Sequence, residues 1–347
     1  MTASFLDELL LVLISAENPI DHFNIKLPVD WLMLTNGEAE PDDNIVLFGF
    51  EANKSDPTLV AKVPRSPKNA WMLQIEHDRL RDAWQCLGEQ AYLRLPEPLT
   101  MLSLSGQPVL VMTYLNGISL LRTSQKRFWQ NTNQIRELFV DAAQSLREMN
   151  DFTATPVRSD DDVPSSFLPK LIKFQELFAL SEREQQIIDE IAAIEKAQAV
   201  HVTHRVLLQG DFWHGNIVRG MPHGKLMFLD WQYSRWSKNV SLDVYMFLLA
   251  AALATVPRRS DEERALGAIK TLFDWRAEIL PAYLSAYGKP INYSLFPARY
   301  GMLLCCVEKA VRSVIDFGHN QKGDLVWRML FTKLVNISSE SGFYDGI

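Results

Sequence analysis

The sequence predicts an α+β chain in two parts, a small strand-rich N-terminal lobe and a larger, mainly helical C-terminal lobe. Three observations predict it. Short β-branched and apolar runs bounded by turn residues lie between positions 44 and 117. Apolar residues at helical spacing take over from about position 131. Short strands interrupt those helices near 206–231 and bracket a polar loop. With 347 residues, 47% of them hydrophobic, the chain is long enough for one large or two moderate cores. The expected division is 1–116 and 117–347.

In chain order, FLDELLLVLISAEN near the start is apolar but carries Asp7 and Glu8 and has no basic start. It is too short to span a bilayer and unlike a signal peptide, so a packing helix is expected. LTNGEAEPDDN follows, with turns at Asn36-Gly37 and Pro41-Asp42-Asp43. NIVLFGF (44–50) and TLVAKVP (58–64) read as strands that form a hairpin across EANKSDP. WMLQIEHDRLRDAWQCL reads as a helix from Met72, Ile75, Leu80, Trp84 and Leu87. PVLVMTYLNG (108–117) is an apolar strand ending in an Asn-Gly turn. Residues 131–149 carry Ile135, Leu138, Ala142, Leu146 and Met149 at helical spacing, and 153–166 is a polar, proline-bearing loop. A helix over 167–179 comes next. Ser181 and Glu184 then form a capping box that opens a helix with Ile187, Ile188, Ile191 and Ile194 on one side. Strands are expected at 206–208, 216–218 and 225–231, and helices near 243–256, 260–287, 294–318 and 322–338.

Composition excludes several classes of function. A net charge of −7 without a Lys/Arg run argues against nucleic-acid binding. Three cysteines, two of them the adjacent Cys305 and Cys306, make no disulfide framework and suit a reduced, cytoplasmic setting. Neither G-x-G-x-x-G nor G-x-x-x-x-G-K-[ST] occurs. His201, His204 and His214 lack a zinc-site pattern, and Asp160-Asp161-Asp162 lacks the spacing of a calcium loop. Ser241 has no nucleophile-elbow context.

The chemistry lies in LLQGDFWHGNIVRG and LMFLDWQYSRWSKNVSLDVYMF, both between 207 and 247. Asp211 and Asn216 stand five apart on the loop, and Asp230 follows the strand LMFLD. Phosphoryl transfer asks for such groups. A carboxylate orients the acceptor hydroxyl, and an amide oxygen and a second carboxylate are hard ligands for Mg²⁺. Asp211 is therefore the candidate catalytic residue, and Asn216 with Asp230 the candidate metal ligands. Lys62, in V-A-K-V on a strand, suits an ATP-phosphate clamp, and Glu76 on the following helix is its natural partner, with His77 or another neighbour as the alternative aligned position.

These motifs resemble those of the aminoglycoside phosphotransferase and choline kinase superfamily, and most closely its ecdysteroid-kinase-like (CHK kinase-like) group. The matching residues are Gly210, Asp211, Trp213, Asn216, Asp230, Gln232, Arg235, Asp243, Tyr245 and Phe247. The resemblance is sharp over roughly 40 residues and implies a bilobal protein-kinase-like fold. It implies ATP and Mg²⁺ as cofactors and transfer of the γ-phosphate to a hydroxyl of a small molecule. Lys62 would contact the α- and β-phosphates, Glu76 would pair with it, and Met112, Thr113, Tyr114 and Leu115 would line the adenine at an inter-lobe hinge. ATP and GTP use would differ only at that hinge.

Two positions depart from the family pattern, Gln209 and Asn150, each where a histidine is usual. They give the rival reading, a catalytically degenerate pseudokinase that binds nucleotide or serves as a scaffold. A protein acceptor is disfavoured, because the loop lacks a lysine two residues after Asp211 and only a dozen residues separate Asp230 from Asp243. The acceptor site would be built from the C-terminal helices and the 153–166 loop. Trp275, Tyr283, Tyr287, Tyr300, Phe317 and Trp327 on those helices suit a neutral metabolite, an amino alcohol or a steroid-like alcohol.

Overall fold

The computed structural model describes residues 9, 29–34, 44–120, 131–157, 167–199, 201–257, 260–317 and 325–337. The loop at 35–43, most of the expected N-terminal helix, Asp160 to Asp162 and the side chain of Phe317 lie outside the described residues. The chain forms two compact units, Met1–Ile118 with Val218–Ser234, and Ser119–Ile217 with Arg235–Ile347.

The first unit is built on an antiparallel five-stranded sheet of β1 (Val29–Leu34), β2 (Asn44–Glu51), β3 (Leu59–Pro64), β4 (Pro98–Leu104) and β5 (Gln107–Thr113), in the order β1-β2-β3-β5-β4. The expected hairpin is β2–β3, with Val46 opposite Lys62. Strands β1 and β4 were not expected. β4 begins at Pro98, which an edge strand tolerates because one of its sides needs no ladder donors.

Alternation along β3 positions the site. Leu59, Ala61 and Val63 face a core that includes Leu47, Leu104, Val109, Val111 and Leu9. Val60 points to the opposite face and packs on Leu73, Leu110 and Met112. Lys62, two residues on, shares the face of Val60. That face is covered by α1 (Ala70–Leu87), whose buried stripe is Met72, Leu73, Glu76, Leu80, Ala83 and Leu87. Glu76 therefore occupies a core register beneath Lys62. A second, three-stranded sheet has the order β10-β9-β6, with β6 (Gly117–Ser119), β9 (Ile217–Gly220) and β10 (Leu226–Phe228). Phe228 N–H donates to the Arg94 carbonyl. This backbone pairing ties Val218–Ser234 to the first unit, although sequence order would place it in the 117–347 lobe.

The second unit is mainly helical: α2 (Thr132–Thr153), α3 (Leu168–Leu177), α4 (Glu182–Ala199), α5 (Ser241–Ala254), α6 (Asp261–Trp275), α7 (Ile279–Tyr287), α8 (Ala298–Phe317) and α9 (Leu325–Asn336). A small sheet has the order β11-β8-β7, from β7 (Thr155–Pro156), β8 (His204–Leu208) and β11 (Arg235–Ser237). Asn131 caps α2 by accepting the Gln134 N–H, and every apolar residue expected on that helix is buried. The expected helix 260–287 is two helices. Pro281 lacks an N–H and its ring would clash with the carbonyl one turn earlier, so it fits only in a first turn. Pro297 likewise delays the expected helix 294–318 to Ala298, since the residue before proline disfavours helix.

Three of the six aromatics expected around an acceptor belong to the core. Tyr283, Tyr287 and Trp275 are buried. Tyr283 and Trp275 pack on Phe139, and Tyr283 stacks on Phe247. The Tyr283 hydroxyl donates to the Val244 carbonyl, and the Tyr300 hydroxyl donates to Glu190.

Candidate active site

In the first unit, Lys62 stands between two carboxylates. Its Nζ lies 2.7 and 2.8 Å from the two Glu76 oxygens and 2.9 Å from Asp230 Oδ1. Glu76 is fully buried and the Lys62 side chain is 12% exposed, so water cannot replace these contacts. Burial alone would lower the Lys62 pKa, but Asp230 and Glu76 outweigh it and hold the ammonium above its ordinary range. Burial pushes Glu76 up, with Lys62 opposing and Asp230 adding to the rise.

Asp230 has φ of 59°, a left-handed conformation that costs a residue with a side chain about 1 kcal/mol or more. Its surroundings fix it there. The Trp231 N–H donates to Glu76 at 3.2 Å, and the buried Trp231 indole donates to the Phe228 carbonyl. The Ser234 hydroxyl donates to the Trp231 carbonyl, and Asn44 donates to the Gln232 side chain. The strand expected over 225–231 ends at Phe228, which leaves Asp230 on this turn. On β5, Met112 is core. The Thr113 amide donates to the Glu97 carbonyl, and the Tyr114 amide to the Thr58 carbonyl. Leu115 follows, half-buried.

In the second unit, β8 delivers Gln209 and Gly210, the latter at φ of 82°. Their amides donate to the two oxygens of Asp243 at 2.7 and 2.9 Å. The Gln209 side-chain oxygen accepts the Asp211 N–H at 2.7 Å. Asn216 closes a short 3₁₀ turn (His214–Asn216), where an extended strand was expected to begin. Its Nδ2 donates to the Asp211 carbonyl at 3.1 Å and to Asp211 Oδ2 at 3.3 Å, which turns the amide oxygen the other way. A Cβ on Gly215 would lie 2.4 Å from the Trp213 ring, so glycine lets Trp213 fold over this turn. Asn150, the other departure from the family pattern, donates to the Tyr287 hydroxyl at 2.8 Å in the core.

The sequence reading missed the cations around Asp211. From α8, Lys309 Nζ lies 2.7 Å and Arg312 Nη2 3.0 Å from Asp211 Oδ1. Burial would raise the Asp211 pKa, but these two cations outweigh it and hold the carboxyl well below the usual range. Beside them, Arg235 makes a two-pronged contact with Glu308 at 3.0 and 3.2 Å, and Lys170 lies 3.6 Å from Glu308. Burial pushes Asp243 up to about 7, against the Gly210 and Gln209 amides and Arg235. Burial lowers His214 to about 4, so it is neutral at physiological pH. One signal for Lys309 and Arg312 was available, since Glu308, Lys309 and Arg312 interrupt the apolar run MLLCCVEKAVRSVI. Nothing local linked them to a loop about 100 residues away.

The chain thus has an α+β kinase-like fold, with a β-sheet N-terminal region and a helical C-terminal region. The phosphotransferase enzyme family (APH) matches residues 47–287, and the chain belongs to that family. No curated protein matches in sequence. Among solved structures, the chain is similar to a candidate aminoglycoside phosphotransferase of Ralstonia eutropha, with 11% identity over 90% of this chain and 93% of the other and a TM-score of 0.50. It is also similar to a candidate fructosamine-3-kinase of Thermobifida fusca, with 13% identity over 88% and 92% of the two chains and a TM-score of 0.50. Among the described residues no helix is long and apolar enough to cross a membrane.

Proposed function

We propose that this protein transfers the γ-phosphate of ATP to a hydroxyl of a small molecule with the help of Mg²⁺, and that within the family it stands nearest the ecdysteroid-kinase-like group. The observation that carries the reading is the buried Lys62 held between Glu76 and Asp230. A lysine so fixed is a preset cation for phosphate oxygens, and positioning with charge neutralisation supplies most of phosphoryl-transfer catalysis. Lys62 takes the α- and β-phosphates and Glu76 orients it. The segment Met112, Thr113, Tyr114 and Leu115 receives the adenine. The Thr113 and Tyr114 amides are already engaged in the sheet, which leaves that contact to the Leu115 amide and to carbonyls. The 1–116 lobe would thus serve the nucleotide, and the 117–347 lobe the acceptor.

The donor set fits Mg²⁺. Asp230 offers a carboxylate, and Asn216, its nitrogen turned to Asp211, offers an amide oxygen; both are the hard ligands this ion prefers. Bound there, the ion would neutralise charge on the phosphates. Asp211 accepts a hydrogen bond from the acceptor hydroxyl and aims its oxygen. It is ionised at any physiological pH and so ready to accept. The acceptor is a small hydroxylated molecule, with a neutral metabolite, an amino alcohol and a steroid-like alcohol as the initial candidates. The setting is cytoplasmic, where ATP is supplied and the free Cys86, Cys305 and Cys306 stay reduced.

The test is ATP turnover by the purified protein with Mg²⁺ and a pool of hydroxylated metabolites, read by mass spectrometry, beside Asp211→Asn. A phosphorylated product that the variant fails to make is the expected result. ATP binding with no product from any pool would favour the pseudokinase, and absence of ATP binding would reject the nucleotide assignment as well.

A further inference from the structure

The second unit carries a cavity that the candidate site does not use. It lies between the end of α4 and the segment 288–298 that joins α7 to α8, over a floor that includes Tyr245 and Phe296. Its volume of about 580 Å³ falls in the range of roughly 300–1,000 Å³ typical of small-molecule sites. Backbone hydrogen bonds fix its wall. The Thr203 and His204 amides both donate to the Asn292 carbonyl, the Ser294 amide donates to the Lys238 carbonyl, and the Val240 amide donates to the Ser294 carbonyl. Most polar lining groups are already engaged. The Tyr245 hydroxyl donates to the Phe296 carbonyl, the Tyr293 hydroxyl donates to Asp151, and the Gln198 and Ser294 side chains bond to each other. Lys289 and His201 remain, and among the described residues neither side chain has an ion-pair or hydrogen-bond partner. No carboxylate lines the cavity. Val202, Leu284 and Leu295 supply apolar wall, and Ile291 beside them is 89% exposed, the most of any large hydrophobic residue among the described ones.

We propose that this cavity is an effector site for an amphipathic monocarboxylate, such as a medium-chain acyl acid, and that its occupancy steadies the loop carrying Asp211. An apolar tail there takes Val202, Leu284, Leu295 and Ile291 out of water, each buried methylene adding to the gain. A carboxylate accepts a charge-assisted hydrogen bond from Lys289 and a second one from His201. One ammonium and one imidazole, without a guanidinium, suit a single negative charge rather than a phosphate dianion. An amine would meet Lys289 as a like charge. The link to the loop runs through the floor. The Phe296 N–H donates to the Ser241 hydroxyl at 2.8 Å. The Ser241 N–H donates to the Asn239 side-chain oxygen, and Asn239 Nδ2 donates to the Ser294 hydroxyl. Ser241 opens α5, and Asp243 two residues on accepts the Gln209 and Gly210 amides. Holding the cavity wall in place therefore holds the turn that clamps the loop, and local opening there becomes rarer. The effector role rests on the kinase reading of that loop; the binding does not.

The test is titration calorimetry of the purified protein with octanoate, octanol, octylamine and acetate, beside hydrogen exchange of the Gln209 and Gly210 backbone amides, all without ATP. Octanoate should bind about tenfold or more tightly than octanol, as expected for a charged hydrogen bond, with octylamine the weakest of the three. Acetate, which lacks the tail, should bind at least about tenfold more weakly than octanoate. Lys289→Met should cut the preference for octanoate over octanol to about threefold or less, and Lys289→Arg should keep it. Ile291→Ser should weaken octanoate and octanol alike, by about threefold or more. Saturating octanoate should slow exchange of the two amides about threefold or more relative to amides of β2 in the first unit. Absence of octanoate binding, equal binding of the eight-carbon probes, or a preference that survives Lys289→Met would overturn the site. Binding that leaves the two amides unchanged would overturn the effector role. No readout here uses ATP, so the kinase reading stands or falls separately, on ATP turnover that depends on Asp211.

Discussion

Replacing Lys62 by methionine keeps most of the side-chain volume and removes the charge. Three contacts of 2.7, 2.8 and 2.9 Å disappear together. Glu76, with no exposure of its own, keeps only the Trp231 N–H. Breaking a buried ion pair from one side costs about 3–5 kcal/mol, because the remaining charge is left without compensation. The variant can relieve that cost by protonating Glu76, whose pKa burial already raises and which would rise further without Lys62. The sign of the pH dependence follows. A carboxyl raised above its unfolded value withdraws stability as pH climbs through its folded pKa, so the deficit of Lys62→Met should be larger at pH 8 than at pH 6. Adding Glu76→Gln removes the orphan charge and leaves an oxygen for the Trp231 N–H, so the double variant should recover most of the lost stability. Activity should behave differently. The single variant should lose at least about 100-fold in kcat/KM, the scale of removing one preorganised electrostatic group, and the double variant should stay as impaired. Urea unfolding at the two pH values and steady-state ATP turnover read both quantities. Recovery of activity together with stability in the double variant would refute a phosphate-binding role and leave Lys62 a scaffold residue.

Two further predictions concern the second unit. Asp243 is raised to about 7, so its ionisation should lower stability between pH 5 and pH 8 by about 2 kcal/mol, and Asp243→Asn should flatten that part of the stability–pH curve whatever its absolute cost. An unchanged slope in the variant would show that Asp243 titrates elsewhere. Gly301→Ala should destabilise by about 1–3 kcal/mol or more, because the new Cβ would lie 2.0 Å from the ring of Tyr245, which is buried and tethered to the Phe296 carbonyl. A melting temperature equal to that of the unaltered protein would mean that α8 can shift to make room.

The candidate residues of the two units were legible in the sequence to different degrees. The strand around Lys62 was legible from its β-branched and apolar make-up and its V-A-K-V context, and Glu76 as the acid on the following helix able to pair with it. Asp211, Asn216 and Asp230 were readable because their chemistry requires fixed residue types at short spacing. Three things were not readable. The left-handed turn at Asp230 is imposed by hydrogen bonds from Trp231 and Lys62 that no local pattern encodes. Strand β4, PLTMLSL, mixes proline and hydroxyl residues and forms only because β5 offers it a ladder. The aromatic residues of α6 and α7 have the same composition whether they line a pocket or fill a core, and Trp275, Tyr283 and Tyr287 turned out to be core. Composition suggested a neutral acceptor site, whereas the two cations against Asp211 come from a helix about 100 residues further along the chain than that loop.

The departures from the family pattern bear on whether the chain is a working enzyme or a degenerate one. A decayed site loses the contacts that hold its reactive groups, because nothing then opposes their drift. Gln209 does the reverse. Its side-chain oxygen accepts the Asp211 N–H at 2.7 Å while its own amide is fastened to Asp243, so the replacement still clamps the residue that would orient the acceptor. Asn150 likewise has a buried partner in the Tyr287 hydroxyl. Asp230 retains a costly backbone conformation, and strain of this kind persists where the surrounding structure over-determines it, commonly at functional sites. An ionised Asp211, a lysine held between two carboxylates and a strained Asp230 are each costly to maintain in a scaffold. Their joint retention in a chain of the phosphotransferase family supports catalysis over mere nucleotide binding.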